Sequence, residues 1–154
     1  MRTFIKAVPC VLKDLDESPK ILAFIHPPPL EDFQIPKGTV EAEESIRVAV
    51  LRELYEESGI QHAQIMDKIG RLELITPSGP NGGQAEERQY WEVFHIAATV
   101  ELPDQWNHTV SGDGVDEGMT FRYFWHDLSA SEARFHPKFQ SLLALVRNYI
   151  QSRH

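Results

Sequence analysis

Two runs near the N-terminus, residues 2–12 and 20–26, are apolar and rich in β-branched residues, with the turn-forming segment DLDESP between them. They read as two strands of a hairpin. The following HPPPLEDFQIPKG is too rich in proline for regular structure, since each ring fixes φ and removes a donor, so it predicts a loop that delivers Gly38 to a defined place. A helical pattern then starts near Glu44, runs to Ser58 and stops at Gly59, a residue suited to the left-handed turn that ends helices. Residues 68–76 and 89–100 are again strand-like, separated by the Gly- and Pro-rich PSGPNGGQAEER, which predicts a flexible loop. A second loop, DQWNHTVSGDGVDEG, precedes the aromatic strand MTFRYFWHDL. Residues 137–151 place Phe139, Leu142, Leu143, Val146 and Ile150 at the spacing of an amphipathic helix. The pattern predicts one α+β domain over residues 1–154, without repeats or linkers.

The helix that starts near Glu44 carries an unusual load of charge. At about 100° per residue, Glu53, Glu56 and Glu57 share roughly a quarter to a third of its circumference, while Val48, Leu51, Leu54 and Tyr55 cover the other side. One face is expected to be core and the other carboxylate. Crowded like charges repel and raise one another's pKa, so this face costs stability unless a cation joins it. A hard divalent ion such as Mg²⁺ would relieve that cost, because it takes oxygen ligands and bridges carboxylates to a substrate's phosphates. Three glutamates alone read first as a solvated charged face.

Composition narrows the classes. The 154 residues carry a formal charge of −8 with Lys and Arg scattered, which argues against binding to long nucleic acid or an anionic membrane. The single cysteine, Cys10, lies in an apolar run; it permits no internal disulfide and reads as core filling. No apolar run approaches the roughly 20 residues of a membrane span, and the N-terminus lacks a secretory pattern, so a cytoplasmic location is expected. Nothing in the pattern selects an oligomeric state. The seven histidines show no metal-ligand pairing, and His95 reads as a satisfied strand residue. Phe121, Tyr123 and Trp125 alternate on one strand face and read first as core, with base stacking as the functional alternative.

The spacing of the charged helix is more specific than its composition. Gly38, Glu44, Arg52-Glu53-Leu54, Glu56-Glu57 and Gly59-Ile60 match every fixed position of the Nudix box. The chain therefore resembles the Nudix hydrolases. That resemblance implies an α/β/α sandwich with a mixed sheet between helices, and hydrolysis of a nucleoside diphosphate linked to another moiety with Mg²⁺ or Mn²⁺. Carried over by residue, Glu53, Glu56 and Glu57 look like the metal-binding glutamates, with the Gly38 carbonyl a further candidate ligand. Glu53 is also a candidate base, Arg52 resembles the residue that orients a catalytic glutamate, and Glu44 its structural partner. By phase Glu44 lies opposite the glutamate face, which favours that structural role.

Outside the box the base or a further ligand is sought in a loop. Glu117 is the favoured candidate, with Glu86 or Glu87 the alternative. Lys37 resembles the lysine of branches acting on dinucleoside polyphosphates and is the candidate for phosphate contact. Pro77, in TPSGP, resembles a proline of ADP-ribose hydrolases, so the two hints conflict. A non-catalytic Nudix-fold module that only binds a small nucleotide is the alternative to the hydrolase.

Overall fold

A computed structural model describes residues 1–78, 85–112 and 114–153. Its strands are β1 (Arg2–Lys13), β2 (Lys20–Ile25), β3 (Phe33–Gln34), β4 (Gly38–Thr39), β5 (Ala63–Ser78), β6 (Ala85–Ala98), β7 (Gln105–Thr109) and β8 (Thr120–Asp127), with helices α1 (Ile46–Ser58) and α2 (Gln140–Ser152). Among the described residues these strands form one eight-stranded sheet of order β5-β6-β1-β2-β8-β7, with β3 on β2 and β4 on β1. The β1–β6 ladder is parallel and the others are antiparallel, so the sheet is mixed.

Alternation along the strands divides the interior into two layers. Val8, Cys10 and Leu12 of β1 join Trp91 and Val93 of β6 beneath Leu142, Leu143, Val146 and Ile150 of α2. On the other face, Ala7 and Val11 join Phe94, Ile96, Phe121 and Tyr123 beneath Ala49, Val50 and Leu54 of α1. The result is the expected α/β/α sandwich, with Cys10 and the β8 aromatics Phe121 and Tyr123 in the core. His95 is buried, its Nδ1 2.7 Å from the Tyr149 hydroxyl of α2. Among the described residues no helix is long and apolar enough to cross a membrane.

Several elements depart from the sequence reading. Residues 105–109, expected in a loop, form β7, because alternate residues face inward and the segment pairs along β8. β5 and β6 extend well beyond the predicted runs, pairing Thr76 with Glu87 and Pro77 with Glu86. Glu86 and Glu87 therefore sit on a strand ladder and not in a loop over the site. Only residues 79–84 of that expected loop lie outside the described residues. The proline-rich segment adds two short pairings, of which β4 fixes Gly38 opposite Ala7.

Helix α1 is bounded at both ends by local chemistry. Ser45 caps the start, its Oγ accepting from the Val48 amide at 3.2 Å. At the other end Gly59 takes φ +82° and donates its N–H to the Tyr55 carbonyl at 2.8 Å. A Cβ at Gly59 would also meet His108 Nδ1 at 2.8 Å. Gly59→Ala is therefore expected to lower unfolding free energy by about 1–3 kcal/mol. Denaturant titration checks this, and an unchanged midpoint would contradict the strain argument.

Candidate active site

The face of α1 turned toward the sheet differs from the one its periodicity predicts. Val48 is 59% and Tyr55 45% exposed, whereas Glu53 and Glu57 are buried beside Ala49, Val50 and Leu54. The carboxylates are thus turned inward. They fill the rim of the sheet where β4 runs past the helix, and Gly38 is what makes room. A Cβ on Gly38 would fall on the Glu53 carboxyl itself. Glu57 accepts the Lys37 amide at 2.9 Å, tying the same loop to the helix from its other side.

Arg52 neutralises part of this charge. Its Nε and Nη2 donate to the two Glu44 oxygens at 2.6 and 2.8 Å, a paired contact that suits a planar guanidinium. Nη1 donates to Glu53 at 2.8 Å and Glu56 at 3.1 Å, while Nη2 also reaches the Thr39 carbonyl at 3.2 Å. The Arg52 hydrogen bonds hold Glu44 down to about 2, from an ordinary 4.5. Glu44 precedes the N-cap and so has no helical phase. Its link to Arg52 comes from a side chain reaching back across the first turns of α1.

The buried glutamates are driven the opposite way. Burial raises Glu53, with Arg52 opposing. Burial also raises Glu57 well above the carboxylate range; Lys37 opposes, while Glu53 and Asp116 add to the rise.

The C-terminal end of α1 is anchored through its carbonyls. Tyr123 donates its hydroxyl to the Glu57 carbonyl at 2.8 Å, and Trp106 its indole N–H to the Ser58 carbonyl at 2.9 Å. The Ser111 amide and His108 Nε2 meet the Glu56 carbonyl at 3.0 and 3.1 Å. Four residues from the β7–β8 region thus satisfy orphan carbonyls of the last turn, where Glu56 and Glu57 sit. Sequence reading placed Tyr123 in the core but did not see this role, because a hydroxyl partner cannot be read from strand alternation.

The carboxylates line a cavity of about 380 Å³ whose wall also includes Lys6, Lys37, Gly38, Thr39, Arg52, Ser111 and Asp116. Glu53, Glu56, Glu57, Arg52, Gly38 and Lys37 are therefore brought together, with Glu44 behind Arg52. Glu117 is exposed and does not line the cavity; the loop carboxylate that does is its neighbour Asp116. Glu86, Glu87 and Pro77 do not line it either. Lys6 and Lys138 were not singled out in the sequence. Burial lowers Lys6, with Lys37 adding to the fall. Burial and the adjoining Lys37 ammonium lower Lys138 to about 8.

Among the described residues no three acidic, histidine or cysteine side chains are clustered as a metal ion would require. Glu53 and Glu56 share Arg52 instead. The donor chemistry still suits a hard cation: carboxylate oxygens of one sign, two of them buried, and nothing basic in the last turn of α1. The negative end of the helix dipole adds to that unmet charge.

Residues 3–145 match the family model described as the NUDIX domain. The chain belongs to the Nudix family. Membership places it among pyrophosphohydrolases of nucleotide substrates. No curated protein matches its sequence. A Caenorhabditis elegans Ap4A hydrolase, solved as a binary complex, is 16% identical with TM-score 0.64, covering 97% of this chain and 98% of its own. The Nudix domain of Shewanella oneidensis NrtR, solved with ADP ribose, is 13% identical with TM-score 0.65, covering 96% of this chain and 88% of its own. The MutT protein of Methanosarcina mazei Go1 is 15% identical with TM-score 0.62, covering 99% and 96%. At these identities the likeness is one of Nudix fold.

Two outcomes follow for this Nudix site. Because Glu44 is depressed in the folded state, its pairing stabilises the protein fully above pH 4.5, and that stability is lost as pH falls toward about 2. Thermal melts of wild type and Glu44→Gln should therefore converge over that interval; parallel curves would mean that the ion pair carries no stability. Tyr123→Phe leaves the Glu57 carbonyl without its hydroxyl donor and should cost about 1–3 kcal/mol in denaturant titration.

Proposed function

We propose that the protein is a metal-dependent pyrophosphohydrolase that cleaves a phosphoanhydride bond in a small nucleotide. The substrate classes are a dinucleoside polyphosphate, an ADP-ribose-like compound or a nucleoside triphosphate, and the ion is Mg²⁺ or Mn²⁺. The observation that carries this reading is the set Glu53, Glu56, Glu57, Arg52 and Gly38, all lining one cavity together with Lys37.

In this reading Glu53, Glu56 and Glu57, with the Gly38 carbonyl, would hold the cation. The bound ion supplies charge neutralisation and Lewis acidity toward the polyphosphate. The chain's own residues provide position and proton transfer. Arg52 and Glu44 keep Glu53 and Glu56 at fixed places, so little reorganisation is needed when substrate arrives. Glu53, which Arg52 holds at the cavity, is the candidate base in this reading. Asp116 takes the loop role for which Glu117 was the sequence candidate. Lys37 meets a substrate phosphate as a point charge, and its place in the cavity wall favours the polyphosphate hint over the one from Pro77.

Product analysis tests the reading, using purified protein with Mg²⁺ against ADP-ribose, dinucleoside polyphosphates, nucleoside triphosphates and nucleotide sugars. Cleavage of one class is expected, abolished by a chelator. Glu57→Gln should keep the fold and lower turnover by roughly two orders of magnitude or more. Near-normal turnover in that variant removes Glu57 from the machinery. A thermal shift by an uncleaved nucleotide, with no product from any, would replace the hydrolase by a binding module.

A further inference from the structure

The face of β7 and β8 turned away from α1 carries another cavity, of about 480 Å³. Strand alternation directs Trp106, His108 and Tyr123 toward α1, where they anchor its last turn, and leaves Gln105, Asn107, Arg122 and Phe124 on the opposite side. In the β7–β8 ladder Gln105 lies directly across from Phe124, and Asn107 directly across from Arg122. Arg122 is flanked on its other side by Ile25 of β2. Phe33 of β3 completes the lining, its ring centroid 4.7 Å from that of Phe124. This cavity shares no lining residue with the one that holds the carboxylates.

Its chemistry differs from that of the carboxylate cavity. Gln105, Asn107 and Arg122 are exposed, and Phe33 and Phe124 are half-buried. Arg134 places its guanidinium 4.5 Å from the Phe33 ring centroid, so a second cation stands against the aromatic pair. Among the described residues neither Arg122 nor Arg134 makes a salt bridge, although the chain has 23 acidic residues against 15 basic ones. The complement of this face is therefore an anion that also presents a flat apolar surface. A concave site of this size, with aromatic walls and a few convergent polar groups, has the dimensions of a small-molecule site.

We infer that this face is a second nucleotide site, separate from the carboxylate cavity, that takes a mononucleotide. The side chains form two rows across the strands, Phe124 with Gln105 and Arg122 with Asn107. Two residues along a strand set the rows about 7 Å apart. A mononucleotide has the same division, with a planar base and an anionic phosphate held apart by a ribose. The base lies against Phe124 and Phe33, with its polar edge at the Gln105 amide, which both donates and accepts. The phosphate takes the Arg122 guanidinium, whose planar fork matches two phosphate oxygens, and the neighbouring Asn107 amide. The guanidinium supplies the countercharge directly, so this site holds its ligand whether or not the carboxylate cavity holds a cation.

Calorimetric titration of the full chain with AMP and with UMP tests this, in the presence of a chelator that keeps divalent ions from the carboxylates. At least one of the two should bind at one site per chain with Kd below about 1 mM. Arg122→Gln should weaken that binding ~10-fold or more, and Phe124→Leu by a similar factor, while Lys37→Gln in the carboxylate cavity leaves the affinity unchanged. Inorganic phosphate and the free nucleoside should each bind more weakly than the mononucleotide, since each engages one row alone. Arg122 is exposed, so Arg122→Gln should melt with wild type and keep the test decisive even where Phe124→Leu is destabilised. Absence of binding by both nucleotides, or an unchanged affinity in Arg122→Gln, overturns the inference. Binding that is lost in Lys37→Gln and kept in Arg122→Gln overturns it as well, by placing the nucleotide in the carboxylate cavity.

Discussion

The architecture of the site depends on placing several carboxylates at the edge of a core and at the negative end of a helix. Both surroundings oppose the charged form: burial raises Glu53 and Glu57, and the helix end has no basic residue to answer its dipole. Arg52 offsets part of that opposition by bonding Glu44, Glu53, Glu56 and the Thr39 carbonyl with one rigid fork. The division matters. Glu44 accepts from both guanidinium branches and from the Glu41 amide, whereas among the described residues Glu57 accepts from the Lys37 amide and has no arginine partner. The unmet charge is concentrated where a cation and a polyphosphate would meet.

Charge of one sign can be held in place only by a scaffold that does not yield. The last turn of α1 is fixed by Tyr123, Trp106, His108 and Ser111 through its carbonyls, not through its side chains. The backbone of the glutamates is thus anchored to the sheet without use of their carboxylates. Gly38 performs the complementary task on the other side, letting β4 approach until only a missing Cβ separates it from Glu53. Stacking of Trp106 on Tyr123, with centroids 5.2 Å apart, makes the anchors one unit.

Much of this was legible in the sequence because it is written at fixed local spacing. The box residues, the Gly59 terminus and both helices lie where the pattern places them. What was not legible depends on contacts distant in sequence. Helical phase assigned Val48 and Tyr55 to the core, but the tertiary contact selects Ala49, Val50 and Leu54 and turns Glu53 and Glu57 inward. A wheel contains no information about which sector a sheet edge will cover. Glu117, the loop candidate, does not line the cavity while its neighbour Asp116 does, for a similar reason: in an irregular loop, adjacent residues point in unrelated directions, and no periodicity orders them. β7 was hidden by the polar and Gly-containing composition of its surroundings, although its pairing with β8 supplies two of the anchors.

Net charge, too, is a poor guide to this site. An overall −8 suggests repulsion of an anionic substrate, yet the cavity is lined by Lys6 and Lys37 as well as by the carboxylates of α1. At an ionic strength near that of cells the Debye length is about 8 Å, so charges elsewhere on the surface are largely screened from the cavity while those lining it are not. Charges of both signs lining one cavity act differently from either sign alone. Carboxylate oxygens suit a cation, and ammonium groups suit anionic oxygens. The local arrangement of a few side chains therefore decides what this acidic protein can bind.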